Sequence, residues 1–433
     1  MMTILLSISL AMLVGLMLSR LAKLVSLPAV TAYLVAGILV GPFVLGAFHV
    51  EGFGFTSIES IEALKIVSDC ALGFIAFSIG NEFRLSQLRQ TGKAATFIGI
   101  FQAVAAAVIV DIALVLLHFA MPDILTVPAA IVLGAIATAT APAATLMVVR
   151  QYKAKGPLTD LLLPIVAIDD AVGLVVFAVS LGVARAIQFG KVDMVSIILN
   201  PLIEIVASLI LGSIMGVILT YIERFFHSRS KRMSMCIAFV FMTVAISMID
   251  IHLGSVEIGF SSLLVCMMLG TMFCNLCDYS EELMERVDGW TTPLFILFFV
   301  LSGAELDLAV FQDPMIVLIG VVFLLTRAVG KYFGAYSSAK WMKCDDKACK
   351  YLGITLLPQA GVALGMSLQV GDLGAAATLI RNIVLFSVLV LELVGPMLSK
   401  IALTKAGDII PENKTSARGV IPSKHQGPHP KQQ

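Results

Sequence analysis

The sequence predicts an all-α, polytopic membrane protein of about thirteen spans, folded as a single membrane domain over residues 1–403. Three observations carry that expectation. Hydrophobic residues make up 59% of the 433 positions, charged residues only 13%, and the mean hydropathy is +0.98, far from the balance of a soluble domain. Apolar stretches long enough to cross hydrocarbon, about 20 residues each, recur almost without pause from Thr3 to Leu403. Lys and Arg gather in alternate connections between those stretches.

Charges, Gly and Pro punctuate the elements in order. The first stretch, 3–20, has no small-residue cleavage site ahead of a polar region, so it reads as a retained helix and not a signal sequence. Spans at 27–47 and 61–81 follow, then 94–119, 125–149 and 158–184, and a further helix at 195–222. A second series runs 233–252, 258–275, 290–310, 314–339, 350–370 and 376–402. The residues from 404 to 433, rich in Pro, Lys, Ser and Gln, bury too little apolar surface to fold and read as a disordered tail.

Arg20 and Lys23, then Arg84, Arg89 and Lys93, then Arg150, Lys153 and Lys155, then Arg224, Arg229, Lys231 and Arg232, and finally Lys340, Lys343, Lys347 and Lys350 mark odd-numbered connections as cytoplasmic. Arg185 and Lys191 run against the rule, and Glu281, Glu282 and Glu285 in the ninth connection count little in it. An odd span number puts the N-terminus outside and the C-terminus in the cytosol of a cell, or plasma, membrane. Net charge is zero, so nothing points to nucleic acid; the partner this composition implies is membrane lipid.

The two halves resemble each other. Gly80-Asn81-Glu82-Phe83-Arg84-Leu85 ends the third span and Gly303-Ala304-Glu305-Leu306-Asp307-Leu308 the tenth. An offset of seven spans inverts one copy relative to the other, the inverted-repeat design of many secondary transporters. The same offset pairs the fifth and twelfth spans, which carry mid-segment prolines, Pro142 after Thr138 and Thr140, and Pro358 before Gln359. Proline removes a backbone donor and clashes with the preceding turn, so both spans are expected to break near the midplane. Two ordinary kinks are the bland alternative, which the matched positions disfavour. Thr138, Thr140 and Gln359 can line a site there or satisfy backbone freed by the breaks.

Asp169 and Asp170 are adjacent carboxylates in the otherwise apolar sixth span, each costing roughly 2.5 to 3.5 kcal/mol on insertion scales. Neighbours on a helix point about 100° apart, so one can face a cavity while the other pairs with a cation. The candidate partners are Arg327 and Lys331, one turn apart in the eleventh span; of the two, Lys is the titratable choice because Arg stays charged. A buried structural ion pair is the alternative to a transport site. Asp69, Asp111, Glu204 and Glu392 are less specific, and Glu392 can neutralise Arg327 in a structural ion pair.

The seven Cys are scattered, which argues against a disulfide framework. Cys274, Cys277, Cys344 and Cys349 admit a shared metal site, but ordinary thiols are favoured over that reading. No catalytic triad, phosphate loop or zinc-hydrolase spacing is present, so neither an enzyme nor a cofactor is expected.

With Leu27-Pro28-Ala29-Val30-Thr31-Ala32-Tyr33 near the start, the Asp169-Asp170 pair, Leu301-Ser302-Gly303-Ala304-Glu305, Leu356-Leu357-Pro358-Gln359-Ala360-Gly361 and Glu392-Leu393-Val394-Gly395-Pro396 in order, the chain resembles the second monovalent cation:proton antiporter family. That family includes sodium/proton exchangers and the membrane domains of potassium efflux systems. The resemblance implies that Asp170 carries cation and proton in competition and that Asp169 bridges to Lys331. It also implies a homodimer, with a core of roughly 94–184 and 314–402 that slides against a dimerisation unit of roughly 3–81 and 233–310, the helix at 195–222 linking them. Two broken helices would cross in the core. The expected activity is exchange of Na⁺ for H⁺, with K⁺ as the rival cation; an uncoupled cation channel or a non-transporting sensor is the alternative class. A channel would call for a filter sequence, and none is present.

Overall fold

The computed structural model describes residues 2–409 apart from 25–26, 49, 51, 82, 84, 190–193, 250, 254–255 and 307–310. Among the described residues the chain forms sixteen α-helices and one small hairpin. The first group is α1 (Met2–Leu24), α2 (Ala29–Val40), α3 (Ile58–Glu62) and α4 (Lys65–Asn81). Then come α5 (Leu85–Ala120), α6 (Val127–Ile136), α7 (Pro142–Gln151), α8 (Pro157–Phe189) and α9 (Met194–Glu223). The second half holds α10 (Arg229–Ser247), β1 (Ile251–Leu253), β2 (Val256–Ile258), α11 (Ser262–Leu276) and α12 (Ser280–Ala304). It closes with α13 (Pro314–Trp341), α14 (Asp346–Thr355), α15 (Gly361–Leu368) and α16 (Ala375–Ala406).

Eight of these helices are long and apolar enough to cross a membrane by length and composition, and α2, α6 and α11 are shorter apolar helices. Each of the thirteen expected stretches contains helix. Three differences stand out. Glu281 and Glu282, expected in a connection, form the first turn of α12, where carboxylates complement the positive end of the helix dipole. Between α10 and α11 the chain pairs β1 with β2 in antiparallel register, Ile251 opposite Ile258, where β-branched residues suit a strand. Residues 404–409, expected in the tail, are folded: α16 continues to Ala406 and residues 407–409 fold back on the bundle, while 410–433 lie outside the described residues. Glu82, Arg84, Asp307 and Leu308 of the repeated motif, and Lys191, also lie outside them.

Buried apolar side chains segregate. One cluster joins α1, α2, α4 and α10 to α12, around Phe74, Phe77, Phe273 and Phe299. Two others join α5 to α8 with α13 to α16, one around Phe177 and Phe323 and one around Leu162 and Leu352. Leu163 and Ala167 of α8, and Ala143 and Leu146 of α7, reach into the first cluster, so these two helices form the seam between the groups.

The end of α16 is tied to the start of α8. Gly407 turns the chain with a left-handed φ of 95°, a conformation glycine adopts without steric cost. Asp408 Oδ2 then accepts from the backbone N–H and the hydroxyl of Thr159, both at 2.7 Å, satisfying a donor that a helix N-terminus leaves free. At the same end of the bundle, Arg150 at the foot of α7 pairs with Asp288 on α12 at 2.5 Å, with Ser78 of α4 donating to the same oxygen.

Candidate functional site: crossed breaks and a carboxylate pair

The fifth and twelfth stretches are both interrupted. α6 stops at Ile136 and α7 starts at Pro142; α14 stops at Thr355 and α15 starts at Gly361. Proline at the first position of α7 lacks the N–H that would be unsatisfied there anyway. The two extended segments pass each other in contact, with the Ala141 N–H donating to the Pro358 carbonyl at 2.8 Å. Breaking a helix in apolar surroundings orphans carbonyls, and each must find a donor.

Those donors come chiefly from α13. Arg327, fully buried, donates to the carbonyls of Ala137 (3.0 Å), Ala139 (2.6 Å) and Leu357 (2.7 Å). Its cation thus lies beside the C-terminal ends of α6 and α14, the negative ends of their dipoles. Gln359 donates to the Ile136 carbonyl at 3.0 Å while its own oxygen accepts from Ser387 at 2.9 Å. The expectation that Glu392 neutralises Arg327 is corrected: Arg327 spends its donors on carbonyls, and Glu392 Oε2 is buried without a hydrogen-bond partner. The planar fork of the guanidinium serves three peptide carbonyls at once, more acceptors than one carboxylate has oxygens.

The carboxylate pair divides in two. Asp169, fully buried, accepts from Lys331 Nζ at 2.6 Å, from Gln102 Nε2 at 2.5 Å and from the Thr140 hydroxyl. Lys331 completes its shell with the Thr138 carbonyl at 2.6 Å and the Thr140 hydroxyl at 2.9 Å. Close packing brings these groups together: a Cβ on Gly330 would meet Ala106 Cα at 2.7 Å and one on Gly334 would meet Gln102 Cα at 2.8 Å, so α13 lies directly on α5.

Asp170 is 3% exposed, and both of its oxygens are buried without a partner. It belongs to the stripe of α8 marked by Ala167, Ala171 and Leu174, all of which pack against the first helix group. Thr138 stands nearby: its hydroxyl, which donates to the Ala135 carbonyl at 2.7 Å, lies 3.1 Å from a Cβ placed on Gly173, one turn beyond Asp170. An unpaired buried carboxylate is costly, and it can be relieved by a proton or by a cation, one excluding the other.

Gln102 is the residue that sequence reasoning missed. Its signal was a lone amide in the otherwise apolar middle of α5. Asp111 rests on Gly134 with Oδ1 buried and unpartnered, Asp69 is half-buried on α4 and Glu204 lies on α9; none joins the pair at the breaks. The four cysteines considered for a metal serve elsewhere. Cys274 donates to carbonyls, Cys277 to Glu223 at 3.2 Å and Cys349 to the Cys344 carbonyl; among the described residues no group of three or more His, Cys, Asp or Glu is arranged to hold a metal ion.

Residues 8–405 match the transmembrane sodium/hydrogen exchanger family. The chain is 24% identical over 404 residues to the Na⁺/H⁺ antiporter NhaS4 of Synechocystis, covering 91% of this chain and 95% of that one. It is 21% identical over 387 residues to the K⁺/H⁺ antiporter subunit KhtU of Bacillus subtilis, covering 88% and 89%. Among solved structures, the sodium proton antiporter MjNhaP1 of Methanocaldococcus jannaschii superposes with a TM-score of 0.74 over 94% of this chain and 98% of that one, at 16% identity. At that identity the likeness speaks for the fold.

Proposed function

The chain belongs to the sodium/hydrogen exchanger family, a family of membrane transporters and not enzymes, and on that premise we propose that it exchanges Na⁺ for H⁺ by alternating access, with both ions competing for Asp170. At the coarser level it is a multi-pass monovalent cation:proton antiporter. The observation that carries the finer reading is the division of the pair: Asp169 is saturated by Lys331, Gln102 and Thr140, whereas Asp170 has no partner and sits on the α8 face turned toward the other helix group. A cation at Asp170 would expel its proton and a proton would expel the cation, and that exclusion couples the two fluxes without a covalent step.

Sodium is favoured by the greater coverage and identity of the NhaS4 relative, and potassium is kept as a second reading by KhtU. The segregated apolar clusters support a core of α5 to α8 and α13 to α16 sliding along a unit of α1 to α4 and α10 to α12, with α9 as the link. The matched breaks support reading the two halves as inverted repeats. A homodimer built on the first unit, the cell membrane as location and a cytoplasmic C-terminus complete the proposal.

The test is cation-driven proton flux in sealed proteoliposomes containing a pH-reporting dye, with Na⁺, K⁺ or Li⁺ added in turn. One of these cations should collapse an imposed pH gradient with the wild type and fail to do so with Asp170→Asn. Wild-type flux in the variant would reject Asp170 as the carrier, and the identity of the active cation decides between sodium and potassium.

A further inference from the structure

Glu392 is a buried carboxylate that the exchange just proposed leaves unused. It is 5% exposed, and its Oε2 has no hydrogen-bond partner. It stands where α16 meets both the second break and the other helix group. The neighbouring Leu393 carbonyl accepts from Thr31 on α2 at 3.4 Å, and a Cβ on Gly395, three residues on, would lie 3.0 Å from Pro358 Cα.

No cation faces it. The packed helices α2, α6 and α15 carry no charged side chain, and Tyr33 of α2 is their one titratable group. On α13, Arg327 is committed to three carbonyls and Lys331 to Asp169; on α7, Arg150 is paired with Asp288. On α8 Asp169 belongs with Lys331 and Asp170 is itself an unpartnered carboxylate, and on α14 Asp346, Lys347 and Lys350 are exposed at the far end, with buried Cys349 beside them. Glu305, at the end of α12, is a carboxylate and offers Glu392 no neutralising charge. An anion so placed is costly, and binding a proton would relieve that cost.

The seam between α7 and α16 holds two buried hydroxyls without partners. Ser399, seven residues along the same face of α16, is wholly buried and its hydroxyl has no partner. Thr145 on α7, also wholly buried, is likewise unpartnered. Seven residues beyond Thr145, the Tyr152 ring lies under Lys400 at 4.9 Å, which marks where the seam reaches the end of the bundle. A hydroxyl both accepts and donates, so hydroxyls linked by water relay protons.

We infer that Glu392 is a second proton-binding group of the transporter, loaded along the α7–α16 seam through Ser399 and Thr145 and distinct from Asp170. The inference rests on the antiport reading, and two measurements keep the two separable. In proteoliposomes, imposed cation and pH gradients are balanced to the point of no net flux, which gives the proton-to-cation ratio across a pH series. Glu392→Gln should lower that ratio and flatten its pH dependence, and Thr145→Val with Ser399→Ala should slow exchange at an unchanged ratio. Independently of transport, the pH-induced infrared difference spectrum of purified protein should show a carboxyl band that Asp170→Asn retains and Glu392→Gln loses. A Glu392→Gln protein with the wild-type ratio, pH profile and carboxyl bands would make Glu392 an inert neutral acid and overturn the inference. Absence of any cation-driven flux in the wild type would reject antiport, with the infrared band still deciding the role of Glu392.

Discussion

Replacing Lys331 with Met should destabilise the protein far more than replacing Lys331 and Asp169 together by Met and Asn. The pair is wholly buried and closes at 2.6 Å. Removing only the lysine leaves Asp169 with Gln102 and Thr140 as its donors, and it leaves the Thr138 carbonyl without its ammonium. An uncompensated buried charge costs about 3–5 kcal/mol, and a bond lost at one carbonyl adds about 1 kcal/mol. Removing only the carboxyl charge, in Asp169→Asn, strands the ammonium instead and costs a similar amount. In the double variant neither charge remains, and the asparagine can still bond Gln102 and Thr140, so the cost should fall to about 1–2 kcal/mol. The coupling energy is then about 4 kcal/mol or more, well above the few tenths seen for independent sites. The assay is reversible unfolding in mixed micelles with increasing SDS, run on all four proteins. Additive single effects would refute the reasoning, because they would mean that the two groups do not neutralise each other where the structure puts them.

The other substitutions probe neighbouring parts of the same argument. Asp170→Asn should abolish exchange yet unfold no earlier than the wild type in the same titration, since the carboxylate makes no hydrogen bond that the amide would lose. Gly334→Leu should cost roughly 1–3 kcal/mol or more by driving α13 away from Gln102, and it should lower exchange by disturbing the shell of Asp169; wild-type thermal stability would contradict the close packing. Asp408→Ala should cost about 1 kcal/mol, as for loss of a helix cap, and should speed proteolysis near the end of α16; an unchanged cleavage rate would count against the tie to Thr159.

Much of this arrangement was legible in the residues because the bilayer leaves few options. The prolines at 142 and 358, each amid small or polar neighbours, announced broken helices, since a lipid-facing helix tolerates interruption only where something re-satisfies its backbone. Asp169, Asp170 and Lys331 were conspicuous because charge is so scarce in these spans. The role of Arg327 was not legible. Its partners are peptide carbonyls, which every residue possesses, so nothing in the local sequence marks Ala137, Ala139 and Leu357 as acceptors. Gln102 escaped for a related reason: a lone amide far along the chain gains meaning only when α5 is laid on α13. The start of α12 was obscured because its first turn is acidic and polar, which resembles a connection until the dipole is considered.

The bond between Asp408 and Thr159 has a practical consequence. Asp408, next to last of the described residues, is held at the foot of α8, the helix that bears Asp169 and Asp170. A fluorophore attached near Ile409 would therefore ride with the acidic pair, while a second dye on α12 would stay with the opposite group. If the two helix groups slide as proposed, the distance between the dyes would change with each turnover, readable by energy transfer on single molecules without altering Asp169 or Asp170.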